Sequence, residues 1–130
     1  MNEAQLKGAL IKEARILLPT SYVVIRHEDR FTHGLPDISV TGNRITSWWE
    51  CKLANPNFSS KGIQELTMLR LMRSGFAFYI VWVYNEIGRY TYIVNPNDIG
   101  KPITEWTHSV EGFDHKWLVE EIRKVHNDHH

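Results

Sequence analysis

The stretch GLPDISVTGNRITSWWECKL, residues 34–53, decides the fold, because it predicts a hairpin at the centre of a sheet. β-branched and aromatic residues favour strands over 37–41 and 44–53. Gly42-Asn43 between them is expected to form the turn, since this pair readily adopts positive φ angles. The hairpin therefore consists of two apolar strands joined by a two-residue connection.

Three charged residues, Asp37, Glu50 and Lys52, interrupt this apolar hairpin. With the expected turn, Asp37 pairs with Trp48, and residues two apart on a strand share a face. The two carboxylates and the amine then project from one side of the hairpin. Asp37 and Glu50 become diagonal neighbours, about 7–8 Å apart at the backbone, within reach of one shared cation.

Two explanations of this charged group remain open. Charges in a half-buried strand are costly unless they are paired or bind a metal, so the trio is either a structural ion cluster or a metal site. Two converging carboxylates repel each other, and we expect a metal-free pair to be strained. Oxygen ligands suit Mg²⁺ or Mn²⁺, and an adjacent amine can polarise a water or stabilise charge on a phosphate.

Hydrophobic periodicity predicts the elements around the hairpin. Asn2 is the expected N-cap of the first helix. The further elements are helices over 3–18, 60–74 and 115–127 and strands over 21–27, 76–84 and 89–96. The order α-β-β-β-α-β-β-α contains a strand-helix-strand crossover, which predicts a parallel pair. The expected fold class is α/β, with a mixed sheet of about five strands flanked by helices.

Length and charge restrict the function classes. The chain has 130 residues, which fits one domain over 1–130, and it carries 15 basic and 15 acidic residues. Zero net charge argues against nucleic-acid binding through a bulk positive field, but not against a local basic cleft. Cys51 is the only cysteine, so no intrachain disulfide forms and we expect a reducing, cytoplasmic setting. No apolar run is long enough to span a bilayer as a helix.

Pro36-Asp37 and Glu50-x-Lys52, in this order of elements, resemble the signature of the PD-(D/E)xK nuclease superfamily. The sequence is most similar to the VRR-NUC branch, which resembles Holliday junction resolvases. That resemblance implies a restriction-endonuclease-like core. It covers roughly residues 1–95, so we expect a core over about 1–98 and a C-terminal extension with a helix over about 101–130.

The resemblance also implies the roles of individual residues. Asp37, Glu50 and the backbone carbonyl of Cys51 would bind Mg²⁺ or Mn²⁺, and Lys52 would orient or deprotonate the attacking water. The family's early helical glutamate corresponds to Glu3, expected near the metal, its water or Lys52. Glu13 lies on the same helical stripe and is the alternative. The family's downstream glutamine corresponds to Gln64, whose alternative is a solvated helix position.

Basic residues near the motif are candidate phosphate contacts, although most surface arginines and lysines are simply solvated. The candidates for DNA binding are Arg30, His33, Lys61, Arg70 and Arg73. Trp48 shares the face of the charged trio and can stack on a base or pack between sheet and helix. The Cys51 side chain points to the opposite face, as a small buried hydrophobe.

These features predict a divalent-metal-dependent DNA endonuclease, and the resemblance implies that it acts on junctions, flaps or other branched DNA. A sequence-specific restriction-type enzyme is the nearest alternative. A non-catalytic nucleic-acid-binding module on the same fold, or a subunit that needs a partner, is the alternative from another class. By analogy with that family a homodimer is expected, since a symmetric substrate needs two cuts. The helix over 115–127 is expected either at that interface or against its own sheet.

Overall fold

The computed structural model describes residues 1–28, 35–54 and 65–128. Hydrogen bonding within these ranges defines helices, strands and a short 3₁₀ helix. The elements are α1 (Glu3–Leu17), β1 (Val23–Arg26), β2 (Ile38–Gly42), β3 (Ile45–Ala54), α2 (Leu66–Ser74), β4 (Phe76–Tyr84), β5 (Arg89–Val94), the 3₁₀ helix (Ile103–Glu105), β6 (Ser109–Glu111) and α3 (His115–Asn127).

The strands form one mixed sheet in the order β1-β2-β3-β4-β5-β6. β3 and β4 are parallel, which confirms the predicted crossover through α2, and every other neighbouring pair is antiparallel. The α/β fold is confirmed with one strand more than expected. β6 has only three residues, SVE, too few for a period-two pattern to be recognised.

Helices cover both faces of the sheet. α1 and α3 pack on one face, where Leu6, Leu10, Leu118 and Ile122 form one buried apolar cluster with Trp49. α2 and the segment after β5 cover the other face around a second apolar cluster. The C-terminal helix therefore packs against its own sheet. Within the described ranges, the helices are too short or too polar to cross a membrane.

Several predicted boundaries agree closely with the structure. β4 and α3 have the predicted bounds, and α1 begins after Asn2, whose side chain accepts the Gln5 N–H at 2.8 Å. The strand expected over 21–27 is confined to Val23–Arg26. α2 begins at Leu66, and the part of its prediction over 60–64 lies outside the described residues.

The predicted hairpin turn is wrong by one residue. The turn residues are Asn43 and Arg44, with φ of +54° and +66°, as in a type I′ turn. Gly42 instead pairs with Ile45 inside the ladder. A Cβ on Gly42 would come within 2.4 Å of the Tyr22 ring. The glycine therefore makes room for an aromatic ring, and sequence reasoning mistook it for a turn residue.

This shift moves the pairing by two residues and keeps every side chain on its predicted face. Trp48 pairs with Ser39, not with Asp37, and Ile38 pairs with Trp49. One further step of the same register sets Asp37 opposite Glu50, closer than the expected diagonal. The shared face of the two carboxylates follows from parity alone, so this part of the sequence argument survives the error.

A buried histidine joins the end of α3 to the hairpin. The Gly42 carbonyl, 2.9 Å from Nδ1 of His126, can only accept, so Nδ1 carries the proton. Nε2, 2.8 Å from Ser47 Oγ, then accepts from that hydroxyl, and Ser47 accepts the Trp49 Nε1–H at 2.8 Å. The network satisfies a neutral imidazole, and burial lowers the pKa of His126 below its usual range.

We predict a pH-dependent contribution of His126 to stability. Its folded pKa lies below the ordinary value of about 6.5, so the unfolded chain takes up the proton first. The stabilisation is complete above pH 6.5 and is lost as the pH falls. Chemical denaturation should show that the destabilisation caused by His126→Gln shrinks between pH 7 and 5.

His108→Gln is the matched control, because His108 is half exposed and pairs with Glu121 at 3.1 Å. A destabilisation by His126→Gln that stays constant or grows as the pH falls would contradict the neutral buried histidine.

Candidate functional site

Asp37 and Glu50 come together at the start of β2 and the middle of β3, where their carboxyl groups share a hydrogen bond. Asp37 directly precedes β2, and Glu50 pairs with Tyr79 of β4. Glu50 is only 9% exposed. The structure thus brings together the two carboxylates that the sequence assigns to a metal.

Both oxygens of Asp37 have further partners. Lys7 Nζ, on the second turn of α1, lies 3.0 Å from Oδ1. The backbone N–H of Cys51 donates to Oδ2 at 2.8 Å. The Lys7 and Asp37 side chains are 14% and 23% exposed, so this ion pair is largely removed from water. The Asp37 carboxylate is therefore fixed between a helix and a strand.

The two acids titrate in opposite directions. Burial would raise the pKa of Asp37, but hydrogen bonds from Glu50, the Cys51 N–H and Lys7 outweigh it and hold the pKa below its usual value. Burial, then the hydrogen bond and negative charge of Asp37, raises the pKa of Glu50 to about 9, although Lys52 opposes the shift. Without a metal at neutral pH, Glu50 is protonated and Asp37 is ionised.

The raised pKa of Glu50 reflects both its burial and the repulsion expected between the two carboxylates. A proton on Glu50 removes one negative charge, and the Lys7 ammonium neutralises the other. The sequence argument considered repulsion between carboxylates and did not consider a cation supplied from α1. The strain that it expects in the metal-free site stays a prediction.

Lys52 lies on the same face as Glu50, two residues along β3. Its Nζ is 3.7 Å from Oε1 of Glu65, the residue that precedes α2. Both side chains are about a third exposed, at 30% and 38%. Glu65 also contributes to the raised pKa of Glu50. The ammonium therefore sits between the buried acid pair and the surface, held by an ion pair that solvent can reach.

Glu3 approaches the same strand from the first turn of α1. Its Oε1 accepts the backbone N–H of Leu53 at 2.9 Å, so its partner is the strand and not the Lys52 ammonium. Glu13, the alternative on the same helix, contributes to the electrostatics of His115 on α3. Of the two glutamates, Glu3 is the one that lies beside the strand carrying Glu50 and Lys52.

The Cys51 side chain lies where the sequence predicted, buried on the face opposite the charged residues. The thiol is buried among the apolar residues that face α1 and α3. Burial raises the pKa of Cys51 well above its usual range. The protonated, enclosed thiol is not a nucleophile, and only the backbone of Cys51 reaches the site.

The remaining predicted residues divide into two groups. Arg70 and Arg73 are exposed on α2, which packs on the sheet face that carries Glu50. The other four fall outside the described residues: Arg30, His33, Lys61 and Gln64.

Lys7 and Glu65 are the two site residues that sequence reasoning missed. Lys7 lies one helical turn after Glu3, so the two share a face, and that spacing was the available signal. Glu65 follows Gln64 directly and had no pattern to mark it. Both act across long separations in sequence, which periodicity does not reveal.

The donor set in the described ranges is small. Within residues 1–28, 35–54 and 65–128, no three His, Cys, Asp or Glu side chains are close enough to hold a metal ion together. The arrangement in these ranges offers two adjacent carboxyl groups, which backbone carbonyls or water can complement. Such an all-oxygen set suits Mg²⁺, which keeps several waters and needs one or two carboxylates.

Comparison with known proteins supports the fold. The sequence matches no family model and no curated protein. Among solved structures, the chain is similar to Hjc, a Holliday junction resolvase from the archaeal hyperthermophile Archaeoglobus fulgidus, with a TM-score of 0.51. The identity is 11%, and the match covers 92% of each chain. At this identity the likeness shows that the two chains share a fold.

We predict that Lys7→Met destabilises the metal-free protein by about 1–3 kcal/mol, the range for a charged hydrogen bond partly removed from water. The loss arises because Asp37 keeps its charge without the neutralising ammonium. Thermal or chemical denaturation measures it. Lys12→Met on the exposed side of α1 is the control and should change stability by less than about 0.5 kcal/mol. Equal effects of the two substitutions would contradict a special role of Lys7.

Proposed function

We propose that this chain is a divalent-metal-dependent endonuclease that hydrolyses phosphodiester bonds in branched or otherwise structured DNA. The observation that carries the proposal is the contact between the Asp37 and Glu50 carboxyl groups, with Lys52 next on the same face. The fold shared with a Holliday junction resolvase supports a structure-selective substrate.

The residues fit a hard divalent cation. Asp37 and Glu50 present adjacent carboxyl oxygens on neighbouring strands, and a bound cation would replace the proton that they share. In an extended strand the N–H and C=O of one residue point toward the same neighbour. Because the Cys51 N–H donates to Asp37, the Cys51 carbonyl is directed to that side as well. These three groups would hold Mg²⁺ or Mn²⁺.

When bound, the metal would lower the pKa of a water and polarise a phosphoryl oxygen. The side chains of this chain would perform the other tasks. Lys7 holds the Asp37 carboxylate in place through Oδ1. Lys52 would orient the attacking water or stabilise negative charge on the phosphate, after its ammonium leaves Glu65. Glu3 fixes the strand beside Lys52 through the Leu53 N–H.

Membership of the VRR-NUC branch, homodimerisation and a cytoplasmic setting belong to the same proposal. The spacing of Pro36-Asp37 and Glu50-x-Lys52 supports the branch. The two-fold symmetry of a four-way junction supports a homodimer. The buried free thiol of Cys51 fits a reducing compartment.

A second candidate function is a non-cleaving DNA-binding module. The observation that favours it is the complete neutralisation of the acid pair without metal, by the proton on Glu50 and by Lys7. In such a module the trio would be a structural ion cluster. Measurement of DNA cleavage in the presence of a divalent metal separates the nuclease from the non-cleaving module.

We predict metal-dependent cleavage of branched DNA. The test incubates the protein with labelled junction, flap and linear duplexes with and without Mg²⁺ or Mn²⁺. Lys52→Met and Glu50→Gln should each slow cleavage at least about 100-fold, as removal of a group that stabilises transition-state charge does in other enzymes. Lys116→Met and Glu120→Gln, at exposed sites on α3, are the matched controls and should cut at the wild-type rate.

Cleavage of the branched substrates by the wild type and the two controls, with the expected slowing in Lys52→Met and Glu50→Gln, would support the nuclease. Binding without cleavage across the panel would favour the non-cleaving module. Cutting by Glu50→Gln at the wild-type rate would contradict the assignment of this site.

A further inference from the structure

We propose that a basic groove between α1 and β1 binds the phosphodiester backbone of the DNA strand that leads to the candidate site. This inference rests on the proposed function for the identity of its ligand. The groove has a volume of about 470 Å³. It is lined by Gly8, Ile11, Lys12, Arg15, Ile16 and Arg26; we call it the α1–β1 groove.

The groove concentrates positive charge in a chain with no net charge. Lys12, Arg15 and Arg26 contribute three cations, and no acidic residue is among those that line it. Glu28 pairs with Arg26 at 2.7 Å. Among the described residues, no carboxylate forms an ion pair with Lys12 or Arg15. Two cations are therefore available to an anionic ligand, which is the local basic cleft that a neutral chain needs.

Both walls of the groove lead to Asp37. On α1, Gly8 directly follows Lys7, whose Nζ lies 3.0 Å from the Asp37 carboxylate. On β1, Arg26 directly precedes His27, whose N–H donates to the Asp37 carbonyl at 2.8 Å. On both walls the groove therefore borders a residue that contacts Asp37.

The length of the groove suits a short run of nucleotides. Gly8 and Ile16, the first and last helical residues that line the groove, are eight positions apart, which is about 12 Å along a helix. That distance corresponds to the rise of roughly three to four nucleotides in one strand of a duplex. Ile16, 65% exposed, offers an apolar surface to the sugars.

The edge of the sheet beside the groove is not free for a peptide strand. Arg15 Nη2 donates to the Val24 carbonyl of β1 at 2.9 Å. That bond occupies a backbone acceptor that an added strand would need. Arginine has five N–H donors, so Arg15 can cover the edge and still contact a phosphate. The chemistry of the groove thus favours a polyanion over an extended polypeptide.

The test measures binding of the full chain to a fluorescently labelled four-way DNA junction in Ca²⁺, over a range of salt concentrations. Each phosphate contact contributes about −0.9 to the log–log salt slope on duplex DNA. The double variant Lys12→Gln/Arg15→Gln should reduce the slope by about 1.8 and weaken binding roughly fifty-fold at 0.1 M salt. The charge-matched control Lys116→Gln/Lys124→Gln on α3 should keep the wild-type slope.

Two further variants separate charge from folding. Lys12→Gln alone, at an exposed position, should reduce the slope by about 0.9. Arg15→Lys keeps the charge and alters the bond to Val24, so it should keep the wild-type slope. Melting temperatures of all variants confirm that folded protein is compared.

If the double variant Lys12→Gln/Arg15→Gln kept the wild-type salt slope and affinity, the proposed role of the groove would be overturned, whether or not the protein cuts DNA. A wild type that does not bind the junction would overturn it as well. An equal loss of affinity in the α3 control would show that binding depends on the overall positive charge and not on the groove, and would also overturn the proposal. Selective loss in the groove variants, in a protein that never cleaves with Mg²⁺ or Mn²⁺, would support the groove and reject the nuclease.

Discussion

The carboxylate of Asp37 is the group on which the rest of the site depends, because it joins three elements of the fold. Lys7 holds one oxygen from α1, and the Cys51 N–H holds the other from β3. The Glu50 carboxyl group shares a hydrogen bond with the same side chain. Removing the Lys7 ammonium would leave a partly buried charge without compensation, which is costly.

The same arrangement explains how an acidic pair persists in an apolar sheet without a metal. One proton and one ammonium together neutralise the two carboxyl groups. The carboxyl groups are therefore already positioned, and a cation would have to displace a proton but would not have to reorganise the strands. Preorganised charge of this kind is what electrostatic stabilisation of a transition state requires.

Local pattern predicted the elements and the face on which the charged residues lie. The long apolar run of β4 and the amphipathic α3 were found with their observed bounds, since their periodicity is strong. The carboxylates share a face because alternation along a strand does not depend on the exact turn. The sequence thus predicted the α/β fold and the meeting of Asp37 with Glu50.

Contacts between residues distant in the chain were not predictable. Lys7 is 30 positions from Asp37, and His126 is 79 positions from Ser47. Gly42 was assigned to the turn because its contact with the Tyr22 ring is tertiary. These features depend on how helices are placed on the sheet, which hydrophobic periodicity does not specify.

The central claim is that Asp37 and Glu50 hold a divalent cation, and thermal melting with and without Mn²⁺ tests it most directly. Glu50→Gln preserves a hydrogen-bond donor toward Asp37, as the protonated acid does, and needs no proton uptake on folding, so its metal-free melting temperature should equal or exceed that of the wild type. Mn²⁺ at 100 times its Kd should stabilise the wild type by about 2.7 kcal/mol and leave Glu50→Gln unchanged. A wild type that Mn²⁺ never stabilises, or an equal shift in both proteins, would contradict the account.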